Sequence, residues 1–99
     1  MSIAIQVRHF LTPRGRREFA RVIRKHRRLA SACPGFLALR RLTPVNPPCP
    51  SEIDVVVEFA SLRQLLAWRQ SPGHRRVAEA YARCWSRPPE ARFFRLGKS

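Results

Sequence analysis

Ninety-nine residues suit one domain, and a hydrophobic share of 44% excludes a disordered chain. No run of about 18 apolar residues is present, which excludes a membrane-spanning helix. Twenty Lys and Arg face six Asp and Glu, and the resulting net charge of +14 attracts polyanions without specifying one.

The chain opens on a strand. Ile3, Ile5, Val7, His9 and Leu11 alternate with Ala4, Gln6, Arg8 and Phe10, and both sets carry apolar groups. The start Met1-Ser2-Ile3-Ala4 lacks the basic residues and apolar run of a secretory leader, which points to the cytoplasm. Thr12-Pro13 reads as an N-cap followed by proline at the first helical position. Phe19, Val22, Ile23, His26, Leu29 and Ala30 then share one helical face, opposite a dense set of Arg. Cys33-Pro34-Gly35 stops that helix.

Phe36 to Thr43 reads as a second strand. Pro44 to Ser51 holds four prolines and is a loop. Ile53 to Phe59 is a third strand, antiparallel to the second. Ser61 and Gln64 form a capping box for a short helix ending near Arg69. Ser71-Pro72 caps and starts another helix, with Val77, Ala78, Tyr81, Ala82 and Trp85 as its apolar face. Pro88-Pro89 is expected to end this helix, and Ala91 to Leu96 to form the last strand. The order β-α-β-β-α-β predicts an α+β, ferredoxin-like fold with a four-stranded antiparallel sheet, spanning residues 1–99 as one domain. A domain this small buries only roughly 60–65% of its unfolded surface, so a second copy is the expected partner.

Cys33, Cys49 and Cys84 are an odd set without Cys-x-x-Cys spacing, and His9, His26 and His74 are scattered. Neither pattern indicates a disulfide framework or a metal site. His74 falls at the third position of its helix, where Ser71 caps its amide and the helix dipole disfavours imidazolium. It shares a face with Val77, Ala78, Tyr81 and Trp85. A neutral imidazole there serves as a base or a hydrogen-bond donor, or as a structural residue bonded to a nearby turn. Trp68 forms a pocket wall for a planar ring, plain core or a dimer contact. Tyr81 sets a hydroxyl on an apolar face and needs a partner or a ligand. On the strands, Gln6, Arg8, Arg40 and Glu58 are charged or polar. Glu58 is expected to pair with Arg8 or Arg40, leaving either a structural ion pair or an Arg that holds an anion.

The run from Glu58-Phe59 through Trp68 to Ser71-Pro72-Gly73-His74, together with Pro34-Gly35-Phe36, resembles the antibiotic biosynthesis monooxygenase family. That resemblance implies a homodimeric α+β barrel built from two facing sheets, with a pocket between sheet and helices in each subunit. It implies cofactor-independent oxidation of an aromatic phenol or quinol by O₂, with no cofactor or metal. His74 would be the base, Arg8 the anion stabiliser, and Trp68, Tyr81, Gln6, Arg40 and Glu58 the substrate-binding residues. The haem-degrading branch is disfavoured, because Arg8 stands where its Asn is expected and Ala78 near where its His is expected. Two other readings compete. One is a small-molecule-binding barrel without chemistry, using the same pocket. The other is a basic nucleic-acid-binding protein, against which the third strand lacks the basic and aromatic pattern of RNA-binding sheets.

Overall fold

A computed structural model describes residues 1–97. Its elements run β1 (Ser2–Leu11), α1 (Pro13–Ser31), β2 (Phe36–Leu42), β3 (Glu52–Phe59), α2 (Leu62–Arg69), α3 (Pro72–Ala82) and β4 (Trp85–Leu96). The four strands form one antiparallel sheet in the order β2-β3-β1-β4. The predicted α+β, ferredoxin-like layout is therefore the observed one. No helix among the described residues is long and apolar enough to cross a membrane.

Local chemistry sets the boundaries. Thr12 Oγ1 accepts the Gly15 amide at 2.9 Å and Pro13 occupies the first turn, so α1 begins where the sequence indicates. Gly15 lies against the turn before β4, where a β-carbon would come within 2.1 Å of the Cys84 carbonyl oxygen. Only glycine lets α1 approach that closely. Gly35 has a φ of 84°, the left-handed value that suits glycine after a helix, and its carbonyl accepts from the Ala60 amide. Ser61 and Ser71 accept the Gln64 and His74 amides, capping α2 and α3.

One boundary differs from the sequence reading. The third helix stops at Ala82, and Trp85 already opens β4 rather than extending the helix. Pro88 and Pro89 lie inside that strand instead of ending a helix. β4 is an edge strand, so part of its backbone needs no ladder partner, and its register against β1 shifts beyond Arg8↔Glu90. Edge position and irregular pairing together accommodate two prolines. The buried side of α3 correspondingly consists of Val77, Ala80 and Tyr81, while Ala82 is exposed.

Because directly paired residues share a face of the sheet, the register divides the strands cleanly. Ile5, Val55, Val57, Phe59 and Leu39 face the helices and join Phe19, Ile23, Leu65, Trp68 and Val77 in the core. Ala4, Gln6, Arg8 and Phe10 face the other way, with Asp54, Val56 and Glu58 of β3 beside them. No described element covers that second face.

Candidate functional site

A cavity of about 180 Å³ opens between the helix-facing side of the sheet and α1, α2 and α3. Its walls are mainly aliphatic, with Val7, Val55, Val57 and Val77 among them. Against that background stand three imidazoles, one indole from α2, one from β4, and one phenol. His9 comes from β1, His26 from α1, Trp68 from α2, His74 and Tyr81 from α3, and Trp85 from β4.

These rings touch one another in sequence. The Trp85 indole N–H donates to His9 Nδ1 at 3.0 Å. The His9 ring lies 4.4 Å from Tyr81, centroid to centroid. The Tyr81 hydroxyl and His26 Nδ1 are 2.8 Å apart. His26 stacks on Trp68 at 5.8 Å, and Trp68 meets His74 edge-on at 5.5 Å. Tyr81 thus finds the partner its apolar setting demanded, and that partner is a histidine.

Burial decides the charge of these groups. His9 is 2% exposed and His26 is 6% exposed. Desolvation pushes His9 down to about 4 and His26 to about 3, with neighbouring His74, His9 and Arg27 adding to the His26 effect. His74, half-buried at the cavity, is also lowered, first by desolvation and then by Arg69. Burial raises the Tyr81 phenol, which keeps its proton. The site therefore presents three neutral imidazoles at pH 7. His26 Nε2 is buried and meets no hydrogen-bond partner among the described residues. Among those residues, no group of three or more His, Cys, Asp or Glu side chains is placed to hold a metal ion.

The sequence-predicted site residues fall into two groups. His74, Trp68 and Tyr81 come together at the cavity. Gln6, Arg8, Arg40 and Glu58 do not join them, because their register positions place them on the uncovered face of the sheet. The expected pairing of Glu58 with Arg8 or Arg40 is corrected too. Glu58 lies opposite Ala4 and accepts from Ser2 Oγ, whereas Arg8 lies opposite Asp54. Arg8 Nε contacts Asp54 Oδ1 at 3.0 Å and Glu52 Oε1 at 2.9 Å, and Gln6 Nε2 donates to Asp54 Oδ2 at 2.6 Å. Arg40 is exposed and makes no ion pair among the described residues.

His9 and His26 are the site residues that sequence reasoning passed over. The signal was present: each occupies an inward position of its element, on the apolar phase of β1 and the apolar stripe of α1. A polar group at such a position must be satisfied or serve a ligand. The many Arg of α1 meanwhile stay on the solvent side, with Arg14, Arg17, Arg21, Arg24 and Arg28 all exposed.

Comparison with known proteins agrees with this architecture. A profile of the family described as antibiotic biosynthesis monooxygenase matches residues 2–80. Among solved structures, SnoaB, a cofactor-independent oxygenase from Streptomyces nogalater, superposes with a TM-score of 0.85 at 14% identity, covering 99% of this chain and 95% of that one. A protein of unknown function from Nitrosomonas europaea gives 0.80 at 22% identity, with 99% and 91% covered. A putative antibiotic biosynthesis monooxygenase from Caulobacter crescentus gives 0.83 at 14% identity, with 98% and 91% covered. No curated protein matches the sequence. At these identities the solved structures establish the fold alone.

Proposed function

Since this chain belongs to the antibiotic biosynthesis monooxygenase family, we propose that its cavity binds a planar phenol or quinol and promotes oxidation of that molecule by O₂. One observation carries the reading: an apolar cavity in which a neutral His74 imidazole stands against the Trp68 ring. A monooxygenation of this kind draws its electrons from the substrate. An acidic C–H or O–H proton passes to a base, and the resulting carbanion or phenolate reduces O₂. One oxygen atom forms the new C=O bond. The other leaves as water with the two displaced hydrogens.

The protein's part is to hold the ring, take the proton and keep bulk water out. His74 is the candidate base, because its lowered pKa keeps the nitrogen free at pH 7. Trp68 supplies the stacking wall, and Tyr81 fixes the ring of His26. O₂ consumption measured with single-ring hydroquinones tests the reaction. Turnover in His74→Ala is expected to fall on the order of a hundredfold. Undiminished turnover would remove His74 from the mechanism. Tight ring binding without O₂ uptake in the unaltered protein would leave a binding protein in place of an enzyme.

The same reading includes a second copy of the chain on the uncovered sheet face. Leu42, Phe94 and Leu96 are exposed there beside Asp54, Ala4 and Ser2 respectively, an apolar set that association would bury. Sedimentation is expected to report twice the chain mass, and a monomer that retains the cavity would exclude the second copy.

A further inference from the structure

We propose that Arg69 is the specificity-determining residue of the cavity, its guanidinium receiving a carboxylate on the bound ring, so that the site prefers single-ring phenols bearing an acid group to their uncharged counterparts. This rests on the reading of the cavity as a phenol site and names the substrate class that site takes.

The cavity wall carries one permanent charge. Among the described residues that line it, the titratable side chains are His9, His26, His74, Tyr81 and Arg69. The three imidazoles are lowered and Tyr81 keeps its proton, so none of these four is charged at pH 7. A guanidinium does not lose its proton in a protein. Arg69 therefore stands as a cation on a wall otherwise made of aliphatic groups and neutral rings. Among the described residues it makes no ion pair.

Two elements fix where that charge sits. Arg69 ends α2, directly after the buried Trp68. Its guanidinium carbon lies over the Phe93 ring of β4, 5.5 Å from the centroid. Phe93 pairs with Ile5 and stands two residues beyond Ala91, and both Ile5 and Ala91 line the cavity. Alternation keeps Phe93 on their side of the sheet. The guanidinium thus reaches from α2 to β4 along the edge of the cavity. Phe93 is 48% exposed, so that edge meets solvent. A cation over an aromatic face spends none of its N–H donors on hydrogen bonds, and two of them in parallel match a carboxylate. Size agrees with this division of the ligand. An apolar cavity of about 150 Å³ accommodates benzene, and the cavity here measures about 180 Å³, which suits one ring inside. The acid group then stays at the edge, where it loses the least hydration. Its charge also acts on the candidate base. Arg69 helps to lower His74, and a carboxylate paired with Arg69 offsets that effect, so His74 becomes a stronger base while the ligand is bound.

Calorimetric titration at pH 7 with 4-hydroxybenzoate, and with 4-hydroxybenzamide as the uncharged control of the same shape, tests this. The acid is expected to bind about tenfold more tightly than the amide. Arg69→Gln should remove that preference and leave binding of the amide unchanged. Arg69→Lys, a cation without the planar fork, should keep part of it. Arg63→Gln controls for the general field of a chain with net charge +14. It deletes the same charge from an exposed position of α2 that does not line the cavity, and should leave the preference in place. Equal binding of acid and amide overturns the role of Arg69 while leaving the cavity intact as a ring site. A preference that survives Arg69→Gln, or that Arg63→Gln removes as well, overturns it too. Failure of both ligands to bind overturns this inference and the cavity reading together. A second readout uses the unaltered protein. The His74 ring, followed by NMR, should titrate at higher pH with 4-hydroxybenzoate bound than with the amide bound, and equal midpoints would contradict the proposal.

Discussion

The two faces of one sheet treat polar residues in opposite ways. On the helix-covered face, His9 is surrounded by Phe19, Tyr81 and Trp85 and stays neutral. On the uncovered face, one residue earlier in the same strand, Arg8 is charged, 44% exposed in its side chain, and paired with Asp54 and Glu52. Alternation of a β-strand sends neighbours to different solvents. Where water is excluded, a titratable group gives up its charge and depends on directed hydrogen bonds. Where water remains, it keeps the charge and finds a counter-ion. Chemistry that requires a neutral base belongs to the first face, and an adaptable contact surface belongs to the second.

Acid should break this contrast most severely. Unfolding returns His9 and His26 to their ordinary value of 6.5, whereas their folded values are about 4 and 3. Below pH 6.5 the unfolded chain binds protons that the folded chain refuses, so stability falls as pH falls. The slope approaches about 1.4 kcal/mol per pH unit for each ring. A domain typically holds about 5–15 kcal/mol, so unfolding is expected before the folded imidazoles themselves titrate. Urea melts between pH 8 and 4 measure this, and His26→Phe should flatten the acid limb.

A single truncation on the covered face comes next. Trp68 is 3% exposed and stacks on His26. Trp68→Ala should cost about 3–5 kcal/mol in a denaturant melt. On the uncovered face, Asp54→Asn should cost less, about 1–2 kcal/mol: Asp54 is itself buried and accepts from Arg8 and Gln6, but Arg8 is 44% exposed in its side chain and keeps Glu52. Equal costs at Trp68 and Asp54 would mean that the two faces do not differ as described.

Much of this contrast was legible in the sequence. The alternation in β1 and β3, the Thr12, Ser61 and Ser71 caps, and the meeting of Trp68 with His74 all follow from local patterns. Two things were not. Pro88-Pro89 reads as a helix stop, because a sequence does not reveal that the strand carrying it lies at an edge with irregular pairing. Strand register was equally hidden. It decides that Asp54 rather than Glu58 faces Arg8, and that the charged phase of β1 turns away from the cavity. His9 and His26 occupied apolar phases and passed as core, since nothing local announces that three elements bring their rings to one place.

The most direct test is an NMR pH titration that follows the three histidine rings from pH 8 to the onset of unfolding. His9 and His26 are expected to keep their neutral-ring shifts throughout, with no inflection near 6.5. A midpoint near 6.5 for either ring would mean that water reaches it, and the account of two desolvated, neutral imidazoles at the cavity would fail.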